Sequence, residues 1–473
     1  MKNNFLTLLL LFAFGTTFAQ TAEWGAKFDF DADNEADHKF VLVDNYNFYL
    51  LSVINRIGMM AKTEIILRKF DQKNTLVETT THPLPVLDSG TLHNVLGSYA
   101  IGSEKAVVFT QSYSNKSKKN DLYKHVLEKA TGKFTSTLLA SYPILSAMKS
   151  GNVTVKQSDN GMYFVLNYKA HSSKKEPEVN YLKVLNGNSL DVAWEKEVTF
   201  TDEYYSRDVV ATNSGNVVYV RPAYSYKLDN YISLVSKDDQ KALTVGEKIA
   251  IHEPKAISIG SQDYLLAFNY PSKGIRRGDY GALMLYDLSS GSILQNNDID
   301  GFSSVTKITE VAFRNVIAQN NMLYIFAEVK VDATPPPTPN STGFPKSIFT
   351  YGPSFLIMMG IDGKITKVNP LLVSTKNVAD LYHSFGLIDV KGTYFINTGL
   401  HNGFYSWNEI INKQKTSDRV GFGYHTIEVN TGKKVGYVNQ LMHYYPDRSA
   451  FLFVKVVEGN QMAIGTFSGV NTN

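Results

Sequence analysis

Short runs of alternating apolar and polar residues, separated by Gly, Asn and Asp, fill almost the whole chain. The runs are rich in Val, Ile, Tyr, Phe and Thr, and few segments show the period of an amphipathic helix. β-Branched and aromatic residues at a period of two are typical of strands. The sequence therefore predicts an all-β protein built from many short strands.

The predicted strands group into a repeating unit that starts with a pair, a first strand and a second strand joined by a polar turn. Eight such pairs are predicted, at residues 40–53, 95–111, 153–168, 209–223, 256–269, 316–329, 385–398 and 451–467. A polar loop and a hairpin of a third and a fourth strand follow, with turns at 71–74, 131–133, 186–188, 237–240, 289–292, 362–364 and 431–433. The repeat length, about 50–70 residues, is in the range of four-stranded blades.

The seven predicted hairpins leave one of the eight units without its outer strand, and the N-terminal segment supplies a candidate. Residues 24–30 start with Trp24 and end with Phe30, and residues 194–200 likewise start with Trp and end with Phe ahead of a first strand. We predict that the N-terminal segment is an outer strand beside the last unit. Such pairing would cover sheet edges that are otherwise open to aggregation.

The Thr-Gly-Lys turns at 131–133 and 431–433 and the Ser-Ser-Gly turn at 289–291, with apolar strands on each side, resemble the hairpins of quinoprotein-like propeller repeats. The resemblance extends over nearly all of the chain and implies a single β-propeller, with eight blades as the first choice and seven as the second. A different all-β repeat stays open as an alternative. Because no Trp-Asp dipeptide and no sialidase-type Asp-box is present, the resemblance does not imply a quinone cofactor.

Residues 1–19 have the pattern of a secretory signal peptide. Lys2 precedes an apolar segment, residues 5–14, and the small residues Thr17 and Ala19 stand before Gln20. A short N-terminal anchor is the alternative. No later stretch reaches the ~18 apolar residues of a membrane span. We expect an exported protein, periplasmic or extracellular, with a propeller domain at 20–473 that contains a Pro-rich loop at 333–345.

Composition narrows the function classes. The chain has 473 residues and no Cys, which excludes disulfides, thiolate metal sites and cysteine nucleophiles. A formal net charge of +3 gives no support for nucleic-acid binding. Histidine spacings typical of metal sites, Gly-rich nucleotide loops and the Gly-x-Ser-x-Gly nucleophile motif are all missing. No cofactor and no metal are therefore predicted.

Basic or imidazole side chains recur about two residues before the predicted first strands, which line the central channel of a propeller. If the ring closes, they would meet at one opening, where an anion would offset their mutual repulsion. The predicted ligand is an acidic glycan, a phosphorylated compound or a ferric siderophore. The candidate residues are His38, His93, Arg207, Arg314, His383 and Arg448, with Tyr405 and Trp407 in a long aromatic loop, 401–420, added for stacking.

The loops that join second and third strands support this prediction, since they contain 18 Lys and Arg against 9 Asp and Glu (56–64, 114–124, 169–180, 225–230, 271–281, 330–347 and 401–420). Two other functions stay open: a polysaccharide lyase or hydrolase that uses the same face, and an envelope protein-interaction scaffold. An anion site requires that the named side chains share a cavity and keep unpaired donors. A scaffold instead predicts local pairing of these side chains and an exposed apolar patch elsewhere.

Overall fold

Antiparallel strands make up most of the computed structural model of the chain. It describes residues 22–31, 34–44, 46–54, 63–172, 176–202, 204–222, 231–245, 249–271, 282–299, 310–319, 321–332, 349–370, 375–378, 385–390, 393–398, 403–406, 420–421, 436–445, 450–457 and 460–468. The predicted signal peptide and the Pro-rich loop lie outside the described residues. Among the described residues, no helix has the length and apolar character that crossing a bilayer requires.

Two short strands, β1 (Ala22–Trp24) and β2 (Phe28–Asp29), come first along the chain. Sheet 1 then contains β3 (Glu35–Val41), β4 (Asn47–Ile54), β5 (Glu64–Asp71) and β6 (Leu76–Pro83). Sheet 2 contains β7 (Thr91–Ile101), β8 (Lys105–Ser114), β9 (Lys119–Glu128) and β10 (Lys133–Pro143), and a 3-10 turn, Ala147–Lys149, follows it. Sheet 3 contains β11 (Asn152–Gln157), β12 (Tyr163–Lys169), β13 (Glu178–Asn186) and β14 (Val192–Phe200).

The second half of the chain continues the same arrangement. Sheet 4 contains β15 (Asp208–Ala211), β16 (Val217–Arg221), β17 (Tyr231–Val235) and β18 (Gln240–Thr244). Sheet 5 contains β19 (Ile249–Ile259), β20 (Gln262–Pro271), β21 (Ala282–Asp287) and β22 (Ser292–Asp298). Sheet 6 contains β23 (Glu310–Gln319), β24 (Met322–Asp332), β25 (Phe349–Gly360), β26 (Ile365–Pro370) and β27 (Thr375–Val378). Sheet 7 contains β28 (Phe385–Val390), β29 (Thr393–Thr398), β30 (Gly403–Ser406) and β31 (Val420–Gly421), and sheet 8 contains β32 (Gly436–Tyr445), β33 (Ala450–Val457) and β34 (Gln461–Ser468).

The order of the strands is that of a β-propeller. Apart from β27, which pairs with β25, strands of sheets 1 to 8 that follow one another along the chain are hydrogen-bonded neighbours, so each sheet is an antiparallel meander. The first strand of each sheet contacts the first strand of the next sheet. The first strands, in order, are β3, β7, β11, β15, β19, β23, β28 and β32, and β32 also contacts β3. The predicted all-β propeller is therefore confirmed. The number of blades and full closure of the ring stay predictions, because much of sheet 7 lies outside the described residues.

The N-terminal segment adds to the last sheet, as the sequence predicted. Strand β1 pairs with β34 in the register Glu23↔Thr466, and β2 pairs with the same strand further along. Trp24 and Trp194 both lie in outer strands, β1 and β14. The ring of Trp24 packs edge-on against Phe453 with centroids 4.8 Å apart. The similarity of the two Trp segments was thus a valid sign of equivalent positions.

A turn of sheet 1 holds this junction in place. Asn74, in the β5–β6 hairpin, has a φ of 60°. Its side-chain amide donates to Thr466 Oγ1 at 2.8 Å and to the carbonyl oxygen of Glu23 at 3.3 Å, so that one residue contacts both β1 and β34. Gly25 lies so close that an added Cβ would be 2.1 Å from the carbonyl oxygen of Asn74.

The boundary between sheets 7 and 8 differs from the prediction. Residues 451–467, predicted as a first and a second strand, are the second and third strands of sheet 8. The first strand of sheet 8 is β32. The beginning of β32 was instead predicted to be the fourth strand of the preceding unit, after the hairpin turn at 431–433. That turn lies outside the described residues. Strand β32 has an irregular register between Tyr437 and Met442, and its residues do not alternate strictly between apolar and polar types.

The core lies between neighbouring sheets. One cluster joins Phe268 and Leu283 of sheet 5 to Val329 and Ile357 of sheet 6, and all four side chains are buried. Second strands are almost entirely apolar and buried, whereas the outer strands β6 and β10 are mostly exposed. Burial of apolar surface, at ~25 cal/mol per Å², is the main contribution that stabilises such an arrangement without disulfides.

Candidate functional site: the channel wall and one loop face

The first strands, which line the channel, carry β-bulges near the predicted site residues. The bulge in β3 takes in His38, and the bulge in β23 takes in Arg314. The bulge in β19 takes in Glu253 and Pro254. A bulge redirects side chains and bends the strand. The first strands therefore begin earlier than predicted, and these basic residues lie within or beside them.

His38 is held inside sheet 1 by an ion-pair network. Its Nε2 lies 3.3 Å from Glu35 Oε1, and Arg68 donates to both carboxylate oxygens of Glu35, with 2.9 Å from Nη2 to Oε2. Ser52 also donates to this carboxylate. Burial alone would raise the pKa of Glu35, but the close approach of His38 and the hydrogen bonds from Arg68 hold that pKa well below its ordinary value. The Glu35 carboxylate of its own sheet is therefore the charged neighbour of the His38 imidazole, whose two buried ring nitrogens make no hydrogen bond within the described residues.

Arg207 and Arg314 are also paired locally. Arg207 Nε donates to Asp208 Oδ2 at 2.7 Å, and its Nη2 donates to the carbonyl oxygen of Ile251. Arg314 Nε donates to Glu328 Oε2 at 2.5 Å, and the Glu328 side chain is fully buried. Each guanidinium thus has a carboxylate partner on its own or the next strand, as expected for a structural ion pair.

His93 belongs to a different group, on the boundary between sheets 1 and 2. Its Nδ1 lies 2.9 Å from Ser112 Oγ. His125 contacts Thr110 Oγ1 through Nε2 and Ser136 Oγ through Nδ1, both at 2.8 Å, and Ser136 also contacts His82. Burial lowers the pKa of all three histidines, and that of His125 falls to about 3 with further repulsion from His82 and His93.

The other four predicted site residues are less fully described. His383, Trp407 and Arg448 lie outside the described residues. Tyr405 belongs to strand β30, so the segment predicted as one long aromatic loop contains a strand. Arg448 was predicted to precede a first strand, but residues 446–449 connect the first and second strands of sheet 8. The placement of these four relative to His38, Arg207 and Arg314 therefore stays a prediction.

A polar cavity of about 290 Å³ lies in the channel wall at sheets 3 to 5. Charged side chains from all three first strands or their turns line it: Lys156, Asp159, Asp208, Glu253 and Lys255. Lys255 Nζ lies 2.7 Å from Asp159 Oδ1, an ion pair that joins sheet 5 to sheet 3 past the short first strand of sheet 4. Arg207 adjoins this cavity through its pair with Asp208.

A second network, which the sequence analysis missed, surrounds Arg221 at the end of β16. All of its guanidinium nitrogens donate: Nε to Tyr231 Oη at 2.7 Å, Nη1 to Glu178 and Ser206, and Nη2 to Asp202 and the carbonyl of Tyr204. The side chain is fully buried, and its Cζ lies 3.5 Å from the centroid of the Phe200 ring. With every donor satisfied, Arg221 has a structural role.

Arg221 is one of several buried polar residues near the end of second strands. The group is Ser52, Thr110, Asn167, Arg221, Asn269 and Glu328, each hydrogen-bonded in the structure. Each directly follows a run of apolar residues, for example Thr110 after residues 106–109 and Glu328 after 323–327. A polar residue at the same place in successive repeats is the sequence signal that could have identified them.

Three loops at one end of sheets 2 and 3 form an exposed surface, here called the lysine loop patch. It consists of the apolar residues Val86, Leu145 and Met148, which are 69%, 67% and 96% exposed, and of Lys116, Lys118, Lys119 and Lys149. Hydrogen bonds connect the loops: Ser117 N donates to Asp88 Oδ2 at 3.1 Å, and Lys118 Nζ to the carbonyl of Leu145 at 2.9 Å. Asp88 is the only acidic residue at 84–92, 114–119 and 143–151.

Comparisons with known proteins identify no family for this chain. No protein-family model matches the chain, and no curated protein matches its sequence. The solved structures that resemble it include the β-propeller domain of the Trilobed protease from Pyrococcus furiosus, at 11% identity and a TM-score of 0.35, covering 79% of this chain and 95% of that one. Another is the acylaminoacyl peptidase of Pyrococcus horikoshii, at 10% and 0.38, covering 93% and 58%.

A third similar structure is prolyl oligopeptidase B from Galerina marginata, at 10% identity and a TM-score of 0.41, covering 90% of this chain and 56% of that chain. The chain thus spans a little over half the length of these two peptidases. Similarity this distant says nothing about activity, and the propeller assignment rests on the sheet order. Among the described residues, no cluster of His, Asp and Glu is arranged to hold a metal ion.

Proposed function

We propose that this protein is an exported β-propeller interaction module that binds a protein partner through the lysine loop patch. The observation that carries this proposal is the local pairing of His38, Arg207 and Arg314, each with a carboxylate of its own or the next strand. Charges that are already compensated offer little to an incoming anion. Convergent capture of an anionic ligand by these side chains is therefore the weaker hypothesis.

The chemistry of the patch indicates what the partner presents. Burial of the exposed Leu145 and Met148 side chains in an interface lowers the free energy of the complex, and a flexible Met side chain adapts to many surfaces. Four lysines against one aspartate favour a partner whose apolar contact is surrounded by carboxylates. Export to the cell envelope, proposed from residues 1–19, would place that partner in the periplasm or outside the cell.

The test is a photo-crosslinking amino acid in place of Met148, with the same amino acid at Met162 as the matched control. Met162 is also exposed and lies at the opposite end of sheet 3, before β12. We expect one envelope protein to be crosslinked from position 148 and not from 162. Calorimetry with that purified protein should then show at least tenfold weaker binding for Met148→Asp, unchanged binding for Met162→Asp, and weaker binding at high salt. Equal crosslinking from both positions, or full affinity of Met148→Asp, would reject the proposal.

A second candidate, the binding of an anionic small molecule, is favoured by the cavity in the channel wall. Lys156 and Lys255 line it, and the ion pair of Lys255 with Asp159 is partly exposed, so that exchange of Asp159 for a ligand anion costs little. Thermal-shift titration with inorganic phosphate and with an acidic oligosaccharide tests this function. A rise in melting temperature that disappears in Lys156→Met/Lys255→Met supports it, and no rise with either anion rejects it.

The lyase or hydrolase alternative has no such support in the described part of the chain. A general acid in a hydrolase needs a carboxyl pKa near the working pH. Burial acts in that direction on Glu35 and Glu178. The pKa of Glu35 is nevertheless below its ordinary value because of the contacts with His38 and Arg68. The pKa of Glu178 is likewise lowered, by hydrogen bonds from Ser206 and Asn180. These two buried carboxylates stay ionised at neutral pH.

A further inference from the structure

A groove on the outside of the propeller, between sheets 2 and 3, has the features of a second binding site. It measures about 400 Å³ and lies between the outer strand β10 and the strands β13 and β14. A register shift between Leu138 and Ala140 bulges β10 at this place. The groove is within the size range of small-ligand sites, ~300–1,000 Å³. We call it the tyrosine groove, after Tyr142 and Tyr181, which line it.

Three tyrosine rings pack against one another at the groove. The rings of Tyr142 and Tyr168 are nearly parallel, with centroids 4.1 Å apart and planes at 11°, and Tyr181 lies 5.2 Å from Tyr142. Tyr168 is buried and supports the other two, which are half-buried. Such packing fixes the ring positions before a ligand arrives and so reduces the entropy lost on binding.

The phenol groups are available for hydrogen bonds. Burial raises the pKa of Tyr142 and of Tyr168 to about 12, so that both hydroxyls stay protonated at neutral pH. Within the part of the chain that the structure describes, the Tyr142 and Tyr181 hydroxyls make no hydrogen bond to the protein. Each can therefore donate to and accept from a ligand.

The charged side chains that face the groove are Lys183, Glu195 and Glu197. Lys183 and Glu195 face each other across β13 and β14, with 2.8 Å between Nζ and Oε2. The Lys196 side chain extends from the other face of sheet 3, because its Nζ donates to the carbonyl oxygens of Ser236 and Asp239 in the β17–β18 turn, at 3.3 and 3.2 Å. An anionic ligand would gain no net attraction, whereas the exposed carboxylates of Glu195 and Glu197 accept hydrogen bonds from hydroxyl groups.

We infer that the tyrosine groove binds a neutral saccharide, with the apolar C–H face of a pyranose ring against Tyr142 and Tyr181 and its hydroxyls on Glu195. The combination of preorganised aromatic faces, free phenol hydroxyls and exposed carboxylates matches a ligand that is apolar on its faces and rich in hydroxyls around its edge. The proposal is independent of the lysine loop patch, which lies on the loops at the end of these sheets.

Saturation-transfer difference NMR on the full chain tests the proposal, with cellobiose, maltose, diacetylchitobiose and galactobiose as probes at millimolar concentration. We expect transfer to the ring C–H protons of at least one sugar, little affected by 0.5 M NaCl. Tyr181→Leu should weaken binding at least tenfold, and Tyr142→Phe, which keeps the ring and removes the hydroxyl, about threefold. Tyr46→Leu, a change at a 72% exposed tyrosine of sheet 1, should leave binding unchanged.

The melting temperature of each variant separates loss of a site from loss of the fold. If Tyr181→Leu lowers it, Glu195→Gln provides the readout instead, because this exposed carboxylate contributes little to stability. No transfer to any of the four sugars overturns the proposal. Binding that survives both Tyr181→Leu and Glu195→Gln, or preferential binding of an extended peptide at the same residues, overturns it as well.

Discussion

Replacing Arg221 by Met tests whether the network between sheets 3 and 4 is as important as its geometry indicates. The change removes five hydrogen-bond donors and the charge partner of Glu178 and Asp202. Removing one side of a buried ion pair costs about 3–5 kcal/mol, because the remaining charge stays desolvated. Five hydrogen bonds at a net ~0.5–1.5 kcal/mol each give a sum of the same size. We therefore expect Arg221→Met to lower the free energy of unfolding by about 3–5 kcal/mol.

The measurement is urea unfolding at pH 7, followed by the fluorescence of the three Trp residues. Arg221→Met/Glu178→Gln should be about 1–2 kcal/mol more stable than Arg221→Met, since it removes the stranded buried charge. Lys241→Met is the control, because the pair with Asp239 spans 3.7 Å at the surface and its loss should stay within ~0.5 kcal/mol. A loss below about 1 kcal/mol for Arg221→Met, or a double variant no more stable than the single one, would refute the reasoning.

Three further outcomes are expected. His125 has an ordinary pKa of 6.5 and a folded pKa of about 3, so protonation favours the unfolded chain as pH falls through this window. His125→Gln should therefore reduce the loss of stability between pH 6.5 and 4 by up to about 3 kcal/mol, measured by urea unfolding at each pH. Parallel curves of stability against pH for the two proteins would contradict this. Gly25→Ala forces a Cβ against Asn74 and should lower stability by ~1–3 kcal/mol, whereas the matched change Gly90→Ala, with only ordinary contacts, should stay within ~0.5 kcal/mol. Deleting residues 22–30 uncovers the edge of β34 and should produce concentration-dependent association in size-exclusion chromatography; a deletion protein that stays monomeric would show that the edge is protected in another way.

Local signals in the sequence predicted the repeat, because turn chemistry is local. The hairpins around Gly132, Gly291 and Gly363 each place Gly at positive φ, 62°, 70° and 82°, which Gly adopts without steric cost. The outer strand at Trp24 was predictable from its similarity to the Trp194 segment. The start of β32 was not, because an irregular strand lacks the alternating pattern on which the prediction depends.

The candidate site was harder to predict, because partners come from registers that sequence spacing does not reveal. His38 and Arg314 were identified as basic residues beside first strands, but the bulges that turn them toward Glu35 and Glu328 are tertiary features. Arg221 was missed although a charged residue that ends an apolar run is visible in the sequence. The spacing alone does not reveal that Glu178 and Asp202, from sheet 3 and the segment after it, supply the balancing charge.

The makeup of sheet 8 has a consequence for how the chain is made. Its outer strand β1 pairs with β34, and every other strand from β2 to β33 lies between the two along the chain. That sheet cannot be completed until β34 has been synthesised, whatever order the intervening sheets follow, and such a distant pairing is slow to form. Until β34 docks, β1 has no partner and its edge can pair with other chains. The interval before this docking is therefore the stage at which β1 is most exposed to incorrect pairing.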